Sequence, residues 1–521
     1  MKRFQNKITT LTLASILLFS NSVSFATASS VTREEVYNHA QETIAYYHES
    51  YANEGYNGLM DWPAVGLSAF GENLTSDKWT DEAGNNAVTC REKEVKNGIK
   101  LSTVKNTDFQ RTIIGITAVG KDPKNFGGKN LIEIEKATML PNGHFADSVE
   151  DTHTKRPIGS VLINAHCFGV ISLYTAGELI PNRDKCLEWL VDKQQMDGGF
   201  TWDVKTFYDP ADAELVESGI DMTAAGIMTM AILGLDKEAD PVKKALALLK
   251  SKQNEDGGFS SWGADNPESC VWVIQGLTLL GIDPMGQEWT TKNGSNPVTS
   301  LLRFQLENGS FTHVLNEKDN LPIYDNGMST EQGLYGLAAA YYNKSVYNIQ
   351  HDKYKNMVAP KLYKDVIPST PHYEAIIDAV YRYDMKGYND NTFKPNNDIV
   401  AIKFYDALVK GLNLEYKTLD SSVETDATYY GNLSESQWGW TSIKTLLELG
   451  LLDLNEAFDA NRSISTNEAL SIAKMLFDRV YGEKATFQTI IEANDMPLSN
   501  SGCAQLLFDM QSSLKLVNEV Q

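Results

Sequence analysis

The chain has 521 residues, 42% of them hydrophobic, and a formal net charge of −22 at pH 7. A surface this acidic lacks the clustered Lys and Arg that displace counterions from nucleic acid or anionic lipid, so no nucleic-acid partner is expected. The length exceeds one ordinary core, and five cysteines with no Cys-x-x-Cys pair argue against a disulfide-stapled scaffold and against structural zinc.

The first segment reads as an export signal. Lys2, Arg3 and Lys7 precede an apolar stretch from Ile8 to Phe25, and Ala26-Thr27-Ala28 is a small-x-small cleavage site. The uninterrupted apolar part is shorter than the ~20 residues that span a bilayer, and no later segment is longer. The expectation is a signal peptide over 1–28 and a mature chain that is secreted, extracellular and not membrane-spanning.

Self-similarity dominates the next 250 or so residues. One element recurs four times: Asn142-Gly143-His144-Phe145, Asp197-Gly198-Gly199-Phe200, Asp256-Gly257-Gly258-Phe259 and Asn308-Gly309-Ser310-Phe311, with Phe-to-Phe spacings of 55, 59 and 52 residues. A near-constant period of this size marks a repeat architecture. Three copies follow helices ending at Gln195, Gln253 and Gln305, and the Asp/Asn-Gly pair supplies a turn with positive φ. Helices rich in small residues are predicted over Phe109 to Gly120, Met222 to Gly234, Ser269 to Gly281 and Thr330 to Tyr341. Such hairpins bury their faces only by stacking. The fold class is all-α, with the hairpins closed into an α/α toroid over 29–350.

The paired segments Gln194 to Phe200 and Lys252 to Phe259 resemble the repeat of prenyltransferases and terpenoid cyclases. The finer match resembles a bacterial branch akin to the cobalamin carriers transcobalamin and intrinsic factor. It runs through Thr107-Asp108-Phe109-Gln110-Arg111-Thr112, Asn125 to Ile132, Asp221-Met222-Thr223-Ala224-Ala225, Asn266-Pro267-Glu268-Ser269 and Met328 to Tyr335. The resemblance implies a ligand held at the toroid mouth by side chains at inner-helix N-termini. The matching positions are Asn164, Asp221, Asn266, Ser269, Thr330 and Gln332, with Trp202 and Trp262 at the rim. It makes a corrinoid one candidate ligand, although the small β-rich domain that closes over the corrinoid in the carriers has no counterpart here. No cofactor is expected.

Three enzymatic readings stand beside this. A cyclase protonates an alkene with the middle Asp of an Asp-x-Asp-Asp motif; here only Asp221 survives, and the flanking acids are absent. A prenyltransferase zinc would draw on Asp265, Cys270 and His313, which lack the required spacing, so no metal is expected. For a polysaccharide lyase or glycosidase, His144, His153, His166, Asp203, Tyr208 and Glu217 fall in no recognisable motif.

Ala359-Pro360, Pro368 and Pro371 read as a linker over 351–361. Tyr363-Lys364-Asp365-Val366 and Gly387-Tyr388-Asn389-Asp390-Asn391-Thr392-Phe393-Lys394-Pro395 then resemble an S-layer homology repeat, and weaker copies make about three over 362–521. Such repeats bind wall polymer through a Thr-Arg-Ala-Glu motif. The equivalents here are Val400-Ala401-Ile402-Lys403, Ser465-Thr466-Asn467-Glu468 and Asn500-Ser501-Gly502-Cys503, leaving Lys403 as the candidate for wall-polymer contact. The whole reads as a surface protein of a Gram-positive-type cell whose toroid binds a small molecule or glycan non-catalytically. The alternatives are a toroid enzyme using Asp221, a polysaccharide lyase, and a purely structural envelope protein.

Overall fold

The computed structural model describes residues 31–52, 56–99, 101–178, 180–204, 217–261, 263–316, 318–367, 369–383, 385–412, 414, 438–448, 450, 452, 459–481 and 487–520. The expected signal peptide, Tyr208 and Trp262 lie outside them. Six helices form an inner ring: α2 (Trp62–Ala69), α4 (Asn106–Ala118), α6 (Ile163–Thr175), α8 (Ile220–Ile232), α10 (Pro267–Leu279) and α12 (Gly327–Tyr342). Each packs on the next, and α12 packs back on α2, so the ring closes. Outside it stand α1 (Arg33–Tyr51), α3 (Ala87–Lys96), α5 (Leu131–Lys136), α7 (Arg183–Asp192), α9 (Asp240–Ser251) and α11 (Pro297–Leu302). A short hairpin, β1 (Ser260–Ser261) on β2 (Ala264–Asp265), precedes α10.

Composition separates the two layers. The inner α8 is buried along almost its whole length, as a helix apolar all round must be. The outer α9 buries only Val242, Ala245, Leu248 and Leu249, a single stripe of helical period.

The recurring turn works through four contacts. The Asp or Asn side chain accepts from the backbone N–H two residues on, as Asp197 does from Gly199 and Asp256 from Gly258, both at 3.0 Å. The Gly takes a φ of +86° to +92° in all four copies and lies against the next outer helix or its cap. The Phe is buried against the following inner helix, where Gly169, Gly226 and Gly333 leave room for Phe145, Phe200 and Phe311. The Gln amide bonds both the Gly carbonyl four residues on and a carbonyl of the next hairpin. Gln194 reaches Gly198 at 2.8 Å and Pro241 at 2.7 Å; Gln253 reaches Gly257 at 3.1 Å and Trp289 at 2.8 Å. Gln305 donates to Gly309 and, at 2.9 Å, to His39 in α1, stitching the last repeat to the first.

Residues 351–361 are not an extended linker. They belong to α13 (Val346–Leu362), which packs on α2, α4, α6, α10 and α12 and so stoppers one end of the ring. His351 stacks on Tyr174 at 4.4 Å, Asn348 accepts from the Tyr174 hydroxyl at 2.9 Å, and Tyr354 reaches Asp122 at 3.2 Å. Gln275 accepts from Ser345 and from the Val346 N–H, fixing the start of α13 on α10.

A second core holds α14 (Tyr373–Tyr383), α15 (Ala401–Gly411), α16 (Trp440–Glu448), α17 (Thr466–Tyr481) and α18 (Asn500–Val520). The segments that lead into α15, α17 and α18 meet in a three-membered ring of backbone bonds. The Ile399 N–H donates to Leu498, Leu498 to Ile464, and Ile464 to Ile399. This pseudo-threefold relates the three segments to one another and shifts the register expected for the third by one residue. Ser499 stands where Val400 and Ser465 do, so the third motif is Ser499-Asn500-Ser501-Gly502 rather than Asn500 to Cys503. Ser465 and Ser499 confirm the equivalence, each capping the N–H three residues on, of Glu468 and Gly502. The positions matching the motif's Arg are Ala401, Thr466 and Asn500, all buried.

Candidate functional site

With α13 across one end, the ring opens at the end where the inner helices begin. Phe168 of α6 meets Trp62 of α2 at 5.5 Å and Trp272 of α10 at 5.7 Å, and Trp62 meets Tyr335 of α12 at 6.2 Å. In each of the first two pairs the helices are separated by one other in the ring, so these side chains project into the lumen and touch across it. Trp62, Phe168 and Trp272 remain half-buried, and the chain of rings makes an aromatic floor. Phe168 and Trp272 sit five residues into their helices, about 7 Å below the first turn.

Carboxylates stand around this floor. Asp221 is the second residue of α8, Glu268 the second of α10, and Glu331 the fifth of α12. Ser269 donates to Asp221 at 2.7 Å. Glu268 accepts from His313 Nδ1 at 3.0 Å and from Ser329. Burial pushes Asp221 up to about 6, the Ser269 bond opposing and Glu268 adding to the rise. Burial pushes Glu331 up to about 8, assisted by Asp61 and opposed by Arg111. Tyr335 is raised well above the ordinary phenol value by burial first, then by Tyr347, Glu331, Glu268 and Asp221, so all three acids are within electrostatic reach of it. Asp61, the N-cap of α2 at φ +70°, forms ion pairs with Arg91 at 3.0 Å and Arg111 at 3.2 Å, and Arg111 also holds Asp108 at 3.0 Å.

The expected ligand residues divide into three groups. Asn266, Ser269 and Thr330 are buried and bonded within the scaffold. Asn266 caps α10 through the Ser269 N–H at 2.9 Å, and the Thr330 hydroxyl accepts from Phe311 N–H at 2.9 Å, as Thr223 does from Phe200. Asn164, Asp221 and Gln332 are half-buried at the mouth; Asn164 Oδ1 and Gln332 Oε1 have no hydrogen-bond partner among the described residues. Trp202 is 50% exposed beside the start of α6, where its carbonyl accepts from Ile163 N–H at 3.1 Å, and Trp262 lies outside the described residues.

Other candidates resolve plainly. Cys270 is buried beneath Phe259, whose N–H it accepts, so burial pushes its thiol up to about 12. Asp265 is held by Ser260 and Asn254 in the β1–β2 hairpin. No group of three His, Cys, Asp or Glu fit for a metal occurs among the described residues, and all five cysteines are free thiols. His144 and His166 are stacked on each other in the core beside Trp189.

Asp61, Glu268, Glu331 and the aromatic floor are candidate site residues that the sequence reading did not single out. Glu268, Glu331 and Tyr335 lie inside the segments that carry the family resemblance; only the ring geometry shows which of their residues face the lumen.

In the C-terminal region Lys403 and Lys394 both stand over the Tyr388 ring, at 3.8 and 4.1 Å. A cavity of about 390 Å³ beside them is lined by Asp365, Thr370, Lys394, Asn396 and Asn397. Among the described residues no helix is long and apolar enough to cross a membrane.

Comparison with known proteins follows this division. The S-layer homology domain profile matches residues 362–399 and points to cell-surface association. No curated protein matches the chain. Among solved structures, the type II terpene cyclase MstE from Scytonema is 13% identical, covering 60% of this chain and 99% of that one at a TM-score of 0.40. Protein geranylgeranyltransferase-I from Candida albicans, complexed with GGPP, is 12% identical over 56% and 90% of the two chains, TM-score 0.38. Unsaturated glucuronyl hydrolase from Bacillus sp. GL1 is 11% identical over 59% and 96%, TM-score 0.41. The prenyltransferase alpha-alpha toroid domain profile matches residues 101–268, 162–312 and 221–364, which together run over half of the chain. With its hairpins closed into one ring by the repeated Gln–Gly–Phe turn, the chain belongs to the prenyltransferase alpha-alpha toroid family.

Proposed function

We propose that the chain is a secreted surface protein, held at the wall of a Gram-positive-type cell by its S-layer homology-like region, whose toroid binds a small molecule or glycan without transforming it. The observation that carries this is the aromatic floor of Trp272, Phe168, Trp62 and Tyr335, lying under an open mouth with the opposite end stoppered by α13. Such a funnel suits a ligand with an apolar body and a few polar groups at its upper end. Asn164, Trp202, Asp221 and Gln332 are the proposed contacts, while Asn266, Ser269 and Thr330 hold the mouth in shape. The wall attachment rests on the S-layer homology match, with Lys403 and Lys394 on Tyr388 as its cationic surface.

Binding is favoured over cyclisation by the state of Asp221. Protonating an alkene needs an unusually strong acid, and burial makes Asp221 a weaker one, at about 6. A hydrolytic or eliminative reading is kept alive by one observation: Glu268 orients the half-exposed His313 from its Nδ1 side, as a general base is oriented.

The test is native mass spectrometry of the mature chain with corrinoids, isoprenoids and wall-derived oligosaccharides. A retained, unchanged adduct supports the binding reading, and its loss in Asp221→Asn places the ligand at the mouth. A product of altered mass overturns it in favour of an enzyme, and silence across the panel favours a structural protein.

A further inference from the structure

Three inner helices in succession, α8, α10 and α12, each put a carboxylate at the open end of the ring: Asp221, Glu268 and Glu331. Glu268 faces His313 at 3.0 Å and Arg111 acts on Glu331 at longer range, but the two arginines nearby are paired elsewhere. Both are committed to Asp61, and each has a second acid of its own, Glu94 for Arg91 and Asp108 for Arg111. Beneath the acids lies the aromatic floor, whose ring faces attract positive charge as well as apolar surface.

A second observation points to an occupant. Tyr47 of α1 is 2% exposed, stands within electrostatic reach of Glu331, and has no hydrogen-bond partner for its hydroxyl. Asp61, also within electrostatic reach of Glu331, is 6% exposed and its Oδ1 is likewise unpartnered, its ion pairs being made through Oδ2. Buried oxygens left without partners are costly, and both of these are coupled to the same half-buried acid.

We infer that the toroid mouth takes an organic cation, an ammonium group carried on an apolar or aromatic body, with the charge among Asp221, Glu268 and Glu331 and the body on Trp62, Trp272 and Tyr335. This rests on reading the mouth as a ligand site and adds the charge of the ligand. The aromatic floor fits an alkyl- or arylammonium ion better than a hydrated metal ion, which needs oxygen on all sides. The raised acids agree: a cation between them brings Glu331 down from about 8, so at neutral pH binding expels a proton.

The experiment is isothermal titration of the mature full-length protein with phenethylammonium and, as its neutral counterpart, phenethyl alcohol, across pH 5 to 9. At pH 7 it is repeated in two buffers of different ionisation heat, which counts protons released. The expected result is an ammonium affinity at least about tenfold above that of the alcohol at pH 9, a preference that shrinks toward pH 5, and net proton release at pH 7. Glu331→Gln should remove most of the preference and leave the alcohol unaffected; the wild-type pH profile needs no variant. Equal affinities at every pH, or binding without proton release, overturn the cation and leave the ligand mouth standing. Binding of neither probe also overturns the cation, and the ligand reading falls with it only if the mass-spectrometric panel is silent too.

Discussion

Gly309 lies against the main-chain carbonyl of Glu42 at φ +87°, and a Cβ at this position would run into that carbonyl. The contact joins the last turn to the first outer helix, so one hydrogen atom's width decides whether the ring shuts. Gly309→Ala should destabilise the toroid by about 3 kcal/mol or more, combining left-handed strain with a backbone clash. Gly84→Ala is the control: its φ is +82° but the space around it is open, and about 1 kcal/mol is expected. Urea denaturation of both variants measures the difference, and equal losses would refute the role of the seam.

Gln305→Ala removes the amide that reaches the His39 carbonyl and the Thr43 hydroxyl in α1. The carbonyl then loses its shorter bond at a closed interface and keeps only the longer one from the Thr43 hydroxyl, at 3.3 Å, among the side-chain donors. A loss of 1–3 kcal/mol is expected, roughly. Gln305→Glu should do no better, since a carboxylate cannot donate, and thermal melting of the pair checks both statements.

His144 is fully buried, stacked on His166 and Trp189, and burial lowers it from 6.5 to about 4. Its folded form resists the proton that the unfolded chain accepts. Its contribution to stability is therefore complete above pH 6.5 and lost as pH falls toward 4, amounting to about 3 kcal/mol. Subtracting the stability curve of His144→Gln from that of the wild type should isolate this slope. A flat difference between pH 6.5 and 4 would refute it.

Glu135 behaves in the opposite sense. It is fully buried, accepts from Gln110 at 3.0 Å, and burial raises it from 4.5 to about 8. The folded state holds the proton, so its contribution is complete below pH 4.5 and declines as pH rises toward 8, by about 1.4 kcal/mol per unit. Glu135→Gln should match the wild type in acid and exceed it at pH 9. Chemical denaturation at the two pH values decides the matter.

Ile464 contributes its backbone to the three-membered ring with Ile399 and Leu498 and is fully buried. Ile464→Ala should lower the stability of the C-terminal region by 2–4 kcal/mol, roughly. Limited proteolysis should show cleavage beyond residue 364 first, with the toroid intact. Simultaneous digestion of both regions would show that they unfold as one.

The ring was legible in the sequence wherever the turn kept its aromatic. Four hairpins carry Phe145, Phe200, Phe259 and Phe311; the other two turn through Asn57-Gly58-Leu59-Met60 and Asn97-Gly98-Ile99-Lys100, which have no Phe three residues after the Asn. Residues 31–100 therefore supply α1 to α3 without the repeated Phe that marks the later hairpins. The inner-helix starts were also legible, but not their facing. Thr330 and Gln332 flank Glu331, and one residue is 100° of rotation on a helix, enough to separate a buried hydroxyl from a lumenal acid. The linker failed for a different reason. Pro360 suggests a break, yet it falls in the last turns of a helix whose earlier residues are already committed by packing on the ring. The third S-layer homology register was one residue off because Ser499 and Asn500 are both good caps, and only the backbone ring distinguishes them.

Because α13 is at once the stopper and the stem, the chain leaves the toroid through its closed end. Whatever grips the C-terminal region therefore takes hold on the side opposite the entrance. A protein tethered in this way presents its opening to the surroundings rather than to its own anchorage. On the proposed function, a ligand would meet the acidic funnel without first passing the tether.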